Sequence, residues 1–272
     1  MTAPLPAFGP PPEVDLAGYA RLATDVRTLL GIDLTQYKPA QIWRRVNSFA
    51  RTNGHQTAAG LTAAARSDTA LRERFRDMLT INVSEFFRNP EAWQQLRERV
   101  VVPMLGSQRS LRAWSAGCSL GFEAWTLAMM AREISPTTRV QIVGTDIDPL
   151  ALDRARAARY TQIQMLGVSP ARRAQFFNTV GTECEVKPEL RGLATFRRHD
   201  LLRDPYESNF DLVMCRNTVI YFTEIAKTGL FHRMIASIRP GGVLFVGATE
   251  LVANSREEGL TQLAPNIYQK GR

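Results

Sequence analysis

Between Leu111 and Asp148 the chain carries LRAWSAGCSLGFEAWTLAMM and, after a short gap, RVQIVGTDID. Two glycines, Gly117 and Gly121, fall in the turn between an apolar run and a helix. A turn without side chains at those positions lets a ligand come close to the backbone. Asp146 closes the next apolar run, where a carboxylate can accept hydrogen bonds from both hydroxyls of a ribose. Together these groups suit an adenosine-type cofactor. Glu123, the second residue of the helix, discriminates between cofactors. It would repel a pyrophosphate seated at the helix N-terminus, as a nicotinamide cofactor requires. It would attract the sulfonium and amine of S-adenosylmethionine, which has no phosphate. A third group, Arg216, Asn217 and Tyr221, follows the apolar run Phe210–Cys215, at the strand end where ligands bind in parallel sheets. Read alone, Arg216 and Asn217 can equally tie down the turn, and Tyr221 can pack.

These residues need elements to position them. Apolar runs at Leu111–Ala116, Val140–Thr145, Leu193–Arg198, Phe210–Cys215, Val243–Ala248 and Asn266–Gln269 are expected strands. Phe122–Glu133, Pro149–Ala158 and Glu224–Ser237 are expected helices. The alternation predicts an α/β fold with a mostly parallel sheet covered on both faces. Ser169-Pro170 caps a short helix to Phe177, and residues 179–188 read as a hairpin, so a small antiparallel insert is expected near 178–192. Residues 14–80 show helical spacing only. Leu16, Tyr19, Leu22, Val26, Leu29 and Leu30 share one face before Gly31, and Ile42, Trp43, Val46 and Phe49 share another after Pro39. The expected organisation is a proline-rich disordered arm (1–13), a small all-α domain (14–88) and a nucleotide-type domain (89–272).

The totals remove several classes of function. The 272 residues are 44% hydrophobic and 22% charged, the balance of a soluble globular protein. No apolar run approaches the roughly 18–20 residues of a membrane span. The N-terminus has no basic residue ahead of an apolar core, so no signal peptide is expected and a cytoplasmic location follows. Three cysteines, Cys118, Cys184 and Cys215, are too scattered for a disulfide framework, and the three histidines have no ligand spacing, so no metal is expected. The net charge of +8 favours acidic partners. Its arginines are dispersed rather than interleaved with aromatics, so nucleic acid is not expected.

Three segments taken together resemble one family. TINVSEFFR at 80–88, TDID at 145–148 and FDLVMCRNTVIYF at 210–222 are similar to the chemotaxis receptor glutamate methyltransferases of the CheR type. IRPGGVLFVGATE at 238–250 fits the same family's late turn and strand. The likeness runs from about residue 20 to the end and implies a class I methyltransferase (Rossmann-like) domain behind a small all-α domain. By that likeness Asn82, Ser84 and Arg88 line the cofactor or methyl-transfer site, and Glu123 lies by the cofactor's methionine end. Asp146 is the ribose acid, Asp200 and Leu201 flank the adenine, and Asn217 and Thr218 are the strand-end pair. Tyr221 is the aromatic near the transferring methyl. The chain departs from the family pattern at Phe122, at Ala124-Trp125-Thr126 and at Asp200, where asparagine is usual.

The implied reaction transfers a methyl group from S-adenosylmethionine to a receptor glutamate, leaving S-adenosylhomocysteine and a methyl ester. A glutamate of pKa about 4.3 is ionised at neutral pH and needs no general base. Arg88 can hold it by charge-assisted hydrogen bonds, and Tyr221 can donate to it or orient the methyl. The partner implied is the acidic coiled coil of a methyl-accepting receptor, met by Arg45 and Arg51 of the second helix. The short hairpin resembles members that do not dock a receptor tether, and a monomer suffices. Two alternatives stay open: a module that binds the cofactor or its product without transferring methyl, and a methyltransferase for RNA or a small molecule.

Overall fold

A computed structural model describes residues 14–80, 84–107 and 110–271. The expected N-terminal arm and Asn82 lie outside the described residues. The chain divides into two compact units, one holding residues 1–81 with Tyr221–Thr223, the other holding residues 82–220 and 224–272. The Ser84–Arg88 segment, expected with the helices, therefore belongs to the second unit.

The first unit contains α1 (Leu16–Leu30), α2 (Pro39–Thr52), α3 (Ala58–Ala64) and α4 (Thr69–Thr80). Local chemistry sets the ends of α1. The Asp15 carboxylate accepts from the Gly18 N–H at 2.9 Å, and Gly31 stops the helix with φ 73°, a conformation that costs glycine little. Its core takes Tyr19, Leu22, Val26, Leu30, Ile42 and Val46 from the expected faces and adds Leu61 and Phe75, all buried, whereas Leu16, expected on the same face, is 72% exposed.

In the second unit come α5 (Pro90–Leu96), a π-helical turn (Arg97–Val101) and α6 (Val102–Ser107). Pro103 has no N–H to offer the Arg99 carbonyl, which accounts for a widened turn just before it. There follow β1 (Ser110–Ala116), α7 (Phe122–Ile134), β2 (Arg139–Asp146), α8 (Pro149–Ala157) and β3 (Arg159–Thr161). Next are α9 (Pro170–Phe176), β4 (Phe177–Val180), β5 (Glu183–Val186), α10 (Pro188–Arg191), β6 (Ala194–Arg198) and β7 (Phe210–Cys215). The unit ends with α11 (Glu224–Ser237), β8 (Ile238–Val246), β9 (Leu260–Ala264) and β10 (Ile267–Lys270).

Seven strands form one sheet in the order β6-β2-β1-β7-β8-β10-β9. The first five are parallel, and β10 runs antiparallel between β8 and β9. From β1 the chain moves outward to β2, whereas from β7 it moves the other way to β8. The strand order thus switches between β1 and β7, and the crevice beyond their carboxyl ends is where such sheets bind ligands. Helix α7 is buried from Phe122 to Ala131, as its nearly unbroken apolar sequence requires.

Two strands escaped sequence reading. β3 is three residues long, and β9 is a brief LTQLA run after a glycine, too short for period-2 alternation to stand out. The insert is consequently a three-stranded sheet, β3-β5-β4, rather than a lone hairpin. Its tight turn uses Gly181 at φ 60°. β8 also begins earlier than the expected Val243. It includes the Arg239–Gly242 turn as an irregularity beside β7, because Gly242 lies under the Phe210 and Asp211 carbonyls, which a Cβ would approach to 3.0 Å.

Candidate functional site

The loop from β1 to α7 is held by the acid expected to meet a ribose. Asp146 is buried at the end of β2; its Oδ2 accepts from the Ser119 N–H at 2.8 Å and its Oδ1 from the Asp148 N–H at 3.0 Å. The four lone-pair sites of the carboxylate leave room for a hydroxyl donor beside these amides. Burial pushes this carboxyl up to about 6, although the amide hydrogen bonds of Asp148 and Ser119 pull it down. The glycines of this loop have a packing role of their own. Gly117 and Gly121 take φ 74° and 84°. A Cβ on Gly117 would lie 2.5 Å from the Thr218 hydroxyl, so this glycine lets the ends of β1 and β7 close together. Cys118, in the same loop, is buried, and burial raises its thiol well above the ordinary range. It stays protonated and is no nucleophile.

The end of β7 carries a buried guanidinium that joins three segments. Arg216 Nη1 donates to Glu123 Oε1 at 2.8 Å, and Nη2 donates to the Arg88 carbonyl at 2.8 Å and to Asn89 Oδ1 at 3.2 Å. The guanidinium also lies 4.7 Å from the Phe245 ring centroid and 5.3 Å from that of Trp93. Desolvation raises the Glu123 carboxyl, and the charges of Arg216 and Arg88 oppose it. Glu123, expected to face a cationic cofactor, thus commits one oxygen to Arg216. Arg88 is flanked by Phe87 at φ 53° and Asn89 at φ 60°. Left-handed backbone at non-glycine residues costs about 1–3 kcal/mol each and marks functional segments.

The departures from the family pattern are absorbed by packing. Phe122 meets the rings of Phe86 at 4.8 Å and Tyr160 at 5.0 Å. Trp125 is buried beside Phe196, and the Thr126 hydroxyl accepts from the Phe87 N–H at 3.3 Å. Phe122 and Thr126 thereby brace the segment that leads into Arg88.

Asn217 has φ 57°, and its side-chain Oδ1 is buried with no hydrogen-bond partner among the described residues. Its N–H is held by Glu250 Oε2 at 2.7 Å. Glu250 ends the IRPGGVLFVGATE segment, whose sequence places it after a strand but gives it no role. Asp200 and Leu201 are buried just beyond β6, where the His199 N–H donates to the Asp146 carbonyl at 2.9 Å. Asp200 Oδ1 caps its own turn by accepting from the Leu202 N–H at 2.9 Å, and its N–H donates to Asp204 Oδ2 at 2.8 Å. Ser84 is partly exposed at the start of the described segment. A separate cavity of about 460 Å³, lined by Arg99, Met104, Arg239 and Leu263, adjoins the opposite end of β8.

Tyr221, Arg45 and Arg51 lie in the helical unit. The Lys38 N–H donates to the Tyr221 carbonyl at 2.9 Å, and Tyr37 packs on Phe222 at 4.7 Å. Arg45 is half-buried, donates to the Met78 carbonyl and sits 6.0 Å from the Tyr221 ring centroid. Burial lowers its pKa, and Tyr221 counters this. Arg51 is exposed. The two arginines set aside for docking therefore differ: one is built into the unit and the other is presented to solvent.

An adenosine cofactor fits the second unit's residues. Asp146 has acceptor capacity to spare, and Asn217 offers a buried oxygen without a partner among the described residues. The sheet order, the glycine loop and the acid ending β2 define a class I methyltransferase. Family models described as "CheR methyltransferase, all-alpha domain" and "CheR methyltransferase, SAM binding domain" match residues 17–80 and 82–266. A chemotaxis protein methyltransferase of Listeria innocua is 39% identical over 246 residues, covering 90% of this chain and 94% of its own. Chemotaxis protein methyltransferase 1 of Pseudomonas aeruginosa is 34% identical over 257 residues, covering 89% and 93%. The chain belongs to the CheR family of S-adenosylmethionine-dependent chemotaxis methyltransferases. No helix among the described residues is long and apolar enough to cross a membrane.

Proposed function

We propose that this protein methylates glutamate side chains of a chemotaxis receptor, forming methyl esters and S-adenosylhomocysteine. The reading rests above all on the Arg216 hub, which ties Glu123 to the strained backbone around Arg88. S-adenosylmethionine supplies the methyl group on a positively charged sulfur. Asp146 would hold its ribose, Asp200 and Leu201 its adenine, and Asn217 and Glu123 its amino-acid end, with Asn82, Ser84 and Thr218 completing the contacts by family likeness. The acceptor carboxylate is already ionised, so the chain's task is to orient it and exclude water. Arg88 suits the first role, because a guanidinium binds a carboxylate by two hydrogen bonds and cannot act as a base. Tyr221 is assigned to the methyl on the family likeness alone.

Radiolabelled methyl transferred to receptor-containing membranes, and released by mild base as methanol, tests the reading. Stable binding of S-adenosylhomocysteine with no such methanol would leave only a binding module. Arg88→Ala is expected to cut turnover roughly a hundredfold, the loss of a charge-assisted contact of about 3 kcal/mol. A rate within about twofold of wild type would remove Arg88 from the site.

Docking divides the arginines. Arg51→Glu should slow receptor methylation several-fold, by raising the KM for receptor, and leave cofactor affinity alone. Arg45→Glu should also disturb Tyr221. Equal receptor KM for wild type and Arg51→Glu would count against this docking face. A receptor tether is not part of the proposal, since the insert's outer hairpin has strands of only four residues.

Asp146 makes cofactor binding sensitive to pH. Hydroxyl donors stabilise its ionised form, so binding lowers a pKa that starts near 6 and releases a proton. Affinity for S-adenosylhomocysteine should fall by up to about tenfold between pH 7.5 and pH 5. Calorimetry at the two pH values checks this, and Asp146→Asn should remove most of the dependence.

A further inference from the structure

The β1–β7 crevice depends on a carboxylate that no step of the reaction employs. Glu250 lies beyond β8 and is 3% exposed. Its Oε2 accepts from the Asn217 N–H at 2.7 Å and the Gly247 N–H at 2.8 Å, and its Oε1 accepts from the Val219 N–H at 2.9 Å. One side chain thus gathers the amides of the turn after β7 and the turn after β8. Both turns are shaped around it. A Cβ on Gly247 would come within 2.6 Å of Glu250 Oε2 and 2.8 Å of the Asn217 nitrogen. Asn266 braces the same turn, its Nδ2 donating to the Gly247 carbonyl at 2.8 Å.

We propose that Glu250 is a positioning residue for the cofactor: it holds Asn217 in its left-handed conformation and presets Asn217 and Thr218 at the crevice. The inference rests on reading that crevice as the cofactor site. The link from Glu250 to the crevice runs through two contacts already described. The amide it holds belongs to Asn217, whose Oδ1 is unpartnered. The next residue, Thr218, closes on Gly117. Left-handed asparagine is uphill by about 1–2 kcal/mol, and several amide hydrogen bonds to one carboxylate are enough to offset that. Only a carboxylate serves, since it can accept through both oxygens and has no donor to turn against these amides.

The test is Glu250→Gln, which keeps the size but puts an amide NH2 among the N–H donors. Affinity for S-adenosylhomocysteine should fall at least tenfold. The KM for S-adenosylmethionine should rise by a similar factor, and the KM for receptor should not change. A purely structural role would move both KM values or only the melting temperature. Affinity within twofold of wild type overturns the proposal, provided Asp146→Ala abolishes binding in the same assay. If Asp146→Ala binds normally, the cofactor reading itself has failed. A second measurement needs no variant. In the unliganded wild-type protein, the amides of Asn217, Val219 and Gly247 should exchange slowly before cofactor is added. Fast exchange at Asn217 and Val219 would show that nothing presets the turn and would overturn the proposal.

Discussion

Arg216→Ala should lower the melting temperature of the protein by on the order of 10 °C and abolish methyl transfer. The size follows from what the side chain leaves behind. Arg216 is fully buried and Glu123 nearly so, with side-chain exposures of 0% and 11%. Removing one partner of a buried pair costs about 3–5 kcal/mol, because the other charge stays buried without compensation. For a domain of this size each kcal/mol moves the midpoint by roughly 2–4 °C. The orphaned Glu123 carboxylate, already raised by burial, would rise further once the guanidinium that opposes that shift is gone. The Arg88 carbonyl and Asn89 side chain would lose their donor too, releasing a segment strained on both sides of Arg88. The double variant Arg216→Met with Glu123→Leu separates the effects. It should recover much of the stability, since matched apolar groups replace a buried pair at little cost, and recover none of the activity. Thermal melting and methyl-transfer assays of the two proteins check both halves. A single variant that melts within about 2 °C of wild type would mean the pair is solvated.

The same pair shows how far sequence reading reaches. Glu123 is legible because it opens a helix behind a glycine turn, and Asp146 because it ends an apolar strand. Both signals are local. That Arg216 would reach Glu123, 93 residues away in the chain, depends on β7 lying beside β1, which no spacing encodes. The role of Glu250 is hidden for the same reason, its amide donors being supplied by two turns that meet only in the folded sheet. Phe122 illustrates the opposite difficulty. It departs from the family pattern and looks like a lost site residue, yet it packs on Phe86 and Tyr160, and a cluster of three rings brought from three segments can be seen only in space. The parallel sheet itself was legible because its central strands are continuous apolar runs. The short strands β3 and β9 were not, because three to five residues give too few alternations.

Asp146→Ala should weaken S-adenosylhomocysteine binding by at least about a hundredfold while leaving the fold intact. Two hydroxyl donors to an ionised carboxylate are worth about 1.5–3 kcal/mol each, and every 1.4 kcal/mol is a factor of ten. The change also frees the Ser119 and Asp148 amides, so the glycine loop loses its anchor as well as its ligand contact. Stability runs the other way. The folded carboxyl sits near 6, above the ordinary value of about 3.9. Its contribution to folding is therefore complete below about pH 4 and disappears as the pH rises through 6. At pH 7.5 the buried charge opposes folding, and removing it offsets the two lost amide contacts. Acidification to pH 5 should move the melting temperature of the wild type upward relative to Asp146→Ala, because the wild type alone gains the proton. Calorimetric titration with S-adenosylhomocysteine at pH 7.5, paired with melting curves at both pH values, measures the two effects independently. Undiminished affinity would remove Asp146 from the cofactor site, whereas lost affinity with a collapsed melting temperature would make it a structural acid instead. The expected combination, binding lost and fold kept, is the mark of a carboxylate buried at a cost to stability so that a ribose can be held there.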